Sequence, residues 1–458
     1  MISTVSSPIW ETRNLREVVT KLVDGSHNPP PKQDTGLPML SARNIDRGQV
    51  LFDDYRLISE SAFVSENART RIAAGDVLLT IVGTIGRTAV VPESSQPFSL
   101  QRSVAVLTPA ANLLPKFLCY QLQSPAIQKH FEANARGTAQ KGVYLKTLGQ
   151  TPIVLPPVDV QTEVVAEIEK QFSRLDEAVA NLKRVKANLK RYKASVLKDA
   201  VEGRLVPTEA ELARSEGRSF ETGAQLLQRI LEVRREEWKG RGKYKEPVAV
   251  NTDALPTLSY GWTWATIEQL TYLVTSGSRG WGDFYSDNGV LFIRAQDIKT
   301  DALNMNGLAR VDVPVDAEGS RSSVGANDIL VTITGANVTK SALVPLLSEP
   351  AFVSQHVALL KLTSSDTAAF VFNWLVSPAN GRKTLEKWAY GAGKPGLSLE
   401  QVRALPVALP PLAEQTRIVD EVERRLSLVR SVESEVDANL KRAQSLRQAT
   451  LQKMFRVR

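Results

Sequence analysis

The chain has 458 residues, 43 % of them hydrophobic and 23 % charged, with 57 Lys and Arg against 49 Asp and Glu for a formal charge of +8. This supplies cores for two or three domains of roughly 100–200 residues each and excludes a disordered polyelectrolyte or a fibrous repeat. One cysteine (Cys119) and three scattered histidines (His27, His130, His356) exclude a disulfide framework and a Cys- or His-rich metal centre, while no run nears the ~18–20 apolar residues of a membrane span and no signal peptide opens the chain, so a cytoplasmic protein is expected.

Residues 1–155 read as a mixed α/β domain. Short β-rich runs (VLLTIV from Val77, SVAVLTP from Ser103) alternate with Gly and Pro turns and one apolar helix-like stretch from Lys116. Leu155-Pro156-Pro157 ends this pattern. The next segment, 156–202, carries no glycine, and no proline after Pro157, and reads as a long helix of roughly 60 Å at ~1.5 Å per residue. Ile168, Leu175, Leu182, Leu189 and Val196 recur every seventh residue, with Phe172 and Val179 at the second seam position, as in a coiled coil. Residues 203–255 hold a short amphipathic helix from Gly223 and the basic KGRGKYKEP run, and are expected to be a linker without a core of its own. A second globular domain (256–409) and a second long helix (410–458) follow. The latter has seam residues Val422, Leu426, Val429, Val436 and Leu440, and a pattern that drifts beyond Leu440.

The second half rewrites the first. Leu155-Pro156-Pro157 with Gln161-Thr162 recurs as Leu409-Pro410-Pro411 with Gln415-Thr416, an offset of 254, and Val165, Glu167, Glu169 and Ser173 recur at that offset as Val419, Glu421, Glu423 and Ser427. Gln101 falls on Gln355, and GDVLLTIVG (75–83) on NDILVTITG (327–335). Each repeat is too long for a solenoid unit and reads as a domain plus an appendage. Both long helices run from acidic to basic: from Ala178 to Lys198 the first carries Lys183, Arg184, Lys186, Lys190, Arg191, Lys193 and Lys198 and no acid. That polarity suits the helix dipole and favours antiparallel pairing, each basic half beside the other's acidic half. The expected fold is therefore α+β: two mixed α/β domains joined by two long antiparallel coiled-coil helices, an internal tandem repeat with pseudo-two-fold symmetry.

Chemistry-bearing motifs are missing. Asn28-Pro29-Pro30-Pro31 lacks the aromatic fourth residue of an amino-methyltransferase motif and has no cofactor loop before it. Gly335 to Ser341 lacks the second glycine of a phosphate loop, Gly391-Ala392-Gly393-Lys394 runs into Pro395, and Glu237-Trp238-Lys239 stands alone. What the two copies share is polar, basic loop material suited to base edges and phosphates. The candidates are Arg43, Asn44, Thr84, Arg87, Gln101, Arg102, Gln140, Lys141 and Tyr144 in the first copy. In the second they are Arg294, Gln296, Asn337, Lys340, Gln355, His356 and Lys394.

A globular domain, then Leu-Pro-Pro-x3-Gln-Thr opening a heptad helix, and the whole arrangement again, resembles the specificity (S) subunit of Type I restriction-modification systems, which defend against foreign DNA. The resemblance spans essentially the full chain. It implies two target-recognition domains that each read one half of a split double-stranded DNA sequence, with the helices setting the gap. It also implies a subunit without catalysis or cofactor of its own, joined to two modification (M) subunits that bind S-adenosylmethionine and methylate adenine. ATP- and magnesium-dependent restriction (R) subunits complete the larger complex. The alternatives are a coiled-coil scaffold that never touches DNA and a solitary DNA methyltransferase.

Overall fold

A computed structural model describes residues 10–137, 140–238, 242–277, 279–299, 301–313, 319–389 and 395–456. The chain forms two compact units: 1–184 with 436–458, and 185–435. Each contains one globular domain and a stretch of both long helices.

The first unit is built on a four-stranded antiparallel sheet in the order Val19–Asp24, Val104–Pro109, Val77–Thr80, Thr88–Val90. Val77–Thr80 is buried along its whole length, which is why it reads as an unbroken apolar run. A smaller sheet sets Leu37–Leu40 between Arg56–Ile58 and Ser99–Leu100, the latter pair parallel. Glu11–Asn14 pairs with Pro152–Leu155, so the start of the domain is tied to the strand that feeds the first long helix. Phe117, Leu118 and Phe131 form the core together with Val165, Ile168 and Phe172 of that helix and Leu451 and Phe455 of the second.

The second unit repeats this plan, with one strand more in its second sheet. Its main sheet runs Thr271–Ser276, Val357–Leu362, Ile329–Thr332, Ser341–Leu343. Its second sheet runs Ala309–Val311, Tyr285–Ile293, Ala351–Val353, Ser323–Val324, again with one parallel pair. Thr263–Thr266 pairs with Pro406–Leu409 as Glu11–Asn14 does with Pro152–Leu155.

The long helices span Val158–Val201 and Leu412–Met454. Within the first unit they are antiparallel. Thr450 Oγ1 donates to Gln171 Oε1 at 3.1 Å, and three residues earlier on the second helix Arg447 reaches Asp176, five residues later on the first. Within the second unit Val196, Leu197, Ala200 and Val201 share a core with Ile418 and Val422, again antiparallel. Beyond Leu440 the seam keeps its register through buried Ala443 and half-buried Arg447 and then moves over by one residue, to buried Leu451 and Phe455. Seam positions occupied by Lys186, Lys193, Glu433 and Arg447 break the apolar pattern without ending the register.

The twice-written motif has a structural cause. Gln161 is fully buried; its amide donates to the Asn112 and Pro156 carbonyls, and its Oε1 accepts from Leu114 N, each at 2.8 Å. Gln415 donates to the Pro410 carbonyl at 2.9 Å in the same way, and Thr162 and Thr416 each bond the carbonyl four residues back. The motif turns a strand into a helix and pins that turn to the domain.

The connector differs from the expected bare linker. Glu209–Glu216 and Gly223–Glu236 are helices, and Leu226, Leu227 and Ile230 of the latter enter the core of the second unit. Buried Glu209 binds Arg218 at 2.5 Å and Arg417 at 2.7 Å, while its backbone N–H donates to Glu414 at 2.9 Å. The amphipathic face read from the sequence is the face that packs, leaving the connector no independent existence. Among the described residues no helix is long and apolar enough to cross a membrane.

Candidate nucleic-acid interface

The candidate loops of the first unit gather at one end of its main sheet. Thr80 lies opposite Val104, and Asp24 opposite Ala105, so the chain leaving Thr80, the chain entering Val104 and the chain leaving Asp24 emerge together. Gly25 makes this possible: a Cβ there would sit 2.2 Å from the Leu100 carbonyl oxygen. The second unit places Gly277 against the Val353 carbonyl in the same way, with 1.8 Å available. There, too, the chains after Thr332 and Ser276 and before Val357 share one end of the sheet.

In the first unit Thr84 and Arg87 are exposed on a turn whose Gly83 N donates to the Lys141 carbonyl at 3.0 Å, which brings exposed Lys141 beside them. Arg87 lies 3.7 Å from Asp46. Gln140 and Tyr144 flank Lys141 and are exposed. Gln101 and exposed Arg102 occupy the next turn, and exposed Arg43 pairs with Asp54 at 2.6 Å. Asn44 has a different task. It is 1 % exposed, accepts from Ser41 N at 3.0 Å and donates to the Asp53 carbonyl at 2.8 Å, so its amide is spent on holding the turn.

The equivalent turn of the second unit is held by Asp297, which accepts from Arg294 N at 2.9 Å and takes the Arg294 guanidinium at 3.0 and 3.1 Å. Arg294 therefore stands where Ser41 does, and its cation is neutralised within the turn. Exposed Gln296 takes the place of Arg43, its amide oxygen 3.1 Å from Arg294 Nη2 once turned to accept. Asn337 donates to the Ala295 carbonyl at 3.1 Å, joining the two loops. Lys340 matches Arg87, because the backbone bond from Thr80 N to the Arg87 carbonyl recurs from Thr332 N to Lys340. Exposed His356 has its ring 3.4 Å from the Gln355 amide. Lys394 lies outside the described residues.

One correction follows from register. Met39 pairs with Ser99 and Leu40 with Leu100, while Phe292 pairs with Phe352 and Ile293 with Val353. Gln101 N donates to the Leu40 carbonyl, and Ser354 N to Ile293. Gln101 thus corresponds to Ser354 and Arg102 to Gln355, one residue off the match read from the sequence. The adjoining main strand shares the offset of 253, because Val104 pairs with Thr80 as Val357 does with Thr332, and 254 holds only further along each copy, which a match of like letters conceals.

Sequence reasoning missed Lys32, Tyr55 and Arg56, which line a cleft with Arg43 and Gln101. The basic and aromatic letters were there in DDYRL, but the repeat hid them. The strand pairing matches Tyr55 and Arg56 with Leu308 and Ala309, so comparison of the copies selected against them.

The family model for a Type I restriction modification DNA specificity domain matches residues 9–191 and 320–433. The chain is 26 % identical over 341 residues to the Type I restriction enzyme EcoBI specificity subunit of Escherichia coli, a match covering 72 % of this chain and 63 % of that one. With the StySPI specificity subunit of Salmonella potsdam it shares 22 % over 438 residues, 93 % of this chain and 82 % of that one. A chain from a solved type I R-M assembly, described for its complex assembly and conformational transition, superposes over 98 % of both chains at 20 % identity with a TM-score of 0.63, a likeness of fold.

Proposed function

Because the chain belongs to the Type I restriction modification DNA specificity family, we propose that it is the sequence-reading subunit of such a complex, acting in the cytoplasm on a bipartite DNA target. The observation that carries the reading is the repeated sheet end. In each unit the same three chain crossings bring Arg, Lys, Gln and Asn side chains to one edge of one domain, and these are the groups that bond base edges and phosphates. Two such ends in one chain suit two half-sites of different sequence. The chain carries no chemistry of its own in this reading. Two M subunits dock on the repeated surfaces of the long helices and bring S-adenosylmethionine, and R subunits bring ATP and magnesium. A surface written twice offers the same patch twice, hence two M subunits per chain.

The test uses the purified chain alone and with its methyltransferase partner. Alone it binds duplex DNA with an affinity that falls steeply with salt, binds no S-adenosylmethionine and methylates nothing. With the partner it forms a 2:1 complex that methylates adenine in a split site. Methyl transfer by the isolated chain, or a complex indifferent to sequence, would overturn the reading.

A further inference from the structure

At the loop end of the first unit lies a cleft of about 170 Å³, lined among others by Lys32, Ser41, Arg43, Tyr55, Arg56 and Gln101. Three cations border it against one carboxylate, Asp54, which Arg43 already engages at 2.6 Å. Arg56 spends one nitrogen on the Pro30 carbonyl at 2.7 Å, tying it to the triple-proline loop, and keeps the rest of its guanidinium. The Lys32 ammonium, the Tyr55 hydroxyl and the Gln101 amide have no hydrogen-bond partner among the described residues. Tyr55 and Gln101 are half-buried and Lys32 is exposed beside them, so donors left open around one small cleft mark a place where a polar partner enters. The cleft falls short of the ~300–1,000 Å³ of small-molecule sites, which excludes a cofactor or metabolite and leaves something the size of a base edge.

The fold supplies a comparison. Leu308 and Ala309, the counterparts of Tyr55 and Arg56, line a cleft of about 480 Å³ in the second unit with Tyr285, Ser286, Asp287 and Arg310. There the arginine is closed off by Glu349 through two bonds of 2.7 Å, and Asp287 stands at the wall. The two clefts thus occupy matching strand positions, the first with open cations and the second with its arginine neutralised.

We propose that the cleft of the first unit is a base-reading subsite for an acceptor-rich edge, the N7 and O6 of a guanine, with Lys32, Arg56 and Gln101 as the donors. Guanine alone presents two adjacent acceptors in the major groove, which is what open ammonium, guanidinium and amide donors match. The neutralised cleft of the second unit takes a different edge, so the two half-sites differ at this position. The inference rests on the DNA-reading function proposed above.

The experiment gives the full chain with its methyltransferase partner a randomised duplex library and sequences the methylated products. Wild type should require guanine at one position of one half-site. Lys32→Ala and Gln101→Leu, neither of which removes a bond that the fold uses, should keep the wild-type melting temperature. Each should lower the preference for guanine at that position about 5- to 150-fold, the range of one good base contact, with the other half-site unchanged. Arg56→Lys, which keeps the charge and loses the fork, should do the same. An unchanged preference in the Lys32→Ala, Gln101→Leu double variant sinks the proposal. So does a uniform loss of affinity with the salt slope reduced by about 1, which marks phosphate contacts instead. A wild-type complex without any sequence preference would instead strike down the DNA-reading function, and this subsite with it.

Discussion

Arg447 of the second long helix places its guanidinium carbon 4.2 Å from the ring centroid of Phe172 on the first, and from there reaches the Asp176 carboxylate at 2.5 Å. A cation over an aromatic face contributes roughly 0.5–2 kcal/mol, depending on how dry the site is. An exposed ion pair contributes less, about 0.2–1 kcal/mol. A charged residue thus fills a seam position by stacking on the aromatic opposite. A double-mutant cycle of Arg447→Ala with Phe172→Leu should yield a coupling of about 1 kcal/mol in urea unfolding, and Asp176→Ala should cost less than Arg447→Ala. A coupling near zero would mean that the contact merely tolerates the arginine.

The direction of the helices can be tested on the whole chain. With cysteines at Glu167 and Lys453, a short bifunctional maleimide should crosslink within one chain; with cysteines at Glu167 and Glu421 it should not. The native Cys119 does not interfere, because burial pushes its thiol up to about 11 and keeps it unreactive. Crosslinking of the second pair and not of the first would demand parallel helices.

Glu414 is fully buried, its two oxygens taking the Glu209 N–H and the Trp262 indole N–H, each at 2.9 Å. Burial raises its carboxyl above the ordinary range despite those bonds. A carboxyl whose value is higher in the fold than in the unfolded chain holds its proton more readily when folded. It therefore weakens the fold progressively as the pH climbs from its unfolded value through its folded one. Glu414→Gln, which keeps an acceptor and carries no charge, should raise the melting temperature at pH 8 relative to wild type and flatten the dependence above about pH 4.5. Glu414→Leu strands two buried donors and should cost about 2–5 kcal/mol. Parallel pH profiles for wild type and Glu414→Gln would show that this carboxyl is not the titrating group.

Gln161 satisfies one buried N–H and two carbonyls at the entry to the first long helix, whereas Gln415 donates to one carbonyl at the entry to the second. Gln161→Ala should cost about 2–4 kcal/mol and Gln415→Ala about 1–2 kcal/mol, by the count of polar groups left unpaired. Thermal melts of the two variants rank them; the opposite order would place the weight of the motif elsewhere.

If the chain reads DNA as proposed, Arg87, Gln101 and Arg102 fall to one half-site and Lys340, Gln355 and Lys394 to the other. Register makes Arg102 and Gln355 equivalent. Arg102→Ala and Gln355→Ala should therefore relax target choice in different halves of one split sequence, by about 1–3 kcal/mol each. Methylated-site sequencing reads this directly. If neither variant changed target choice or affinity, these turns would be scaffold.

Much of this architecture is written in local pattern. A seven-residue period needs only its own helix to be visible, and an offset of 254 needs only the two copies, so the duplicated α+β plan and both long helices are legible from letters alone. Other features depend on partners far away in the chain. Asp76 binds Lys21 at 2.9 Å from two strands away in the sheet, and its counterpart Asp328 binds Lys361 on the adjacent strand at 2.6 Å, so the same buried acid is answered from a different strand in each copy. Asn44 looks like a base reader and is a turn brace; the connector looks like a tether and is core; Lys32, Tyr55 and Arg56 look unremarkable and share a cleft with Gln101. Periodicity fixes which face of an element is apolar, because that depends on backbone geometry common to all helices and strands. Which polar group stays open for a ligand depends on whether another segment, tens of residues away, has already taken its hydrogen bonds, and only the folded chain brings those segments together.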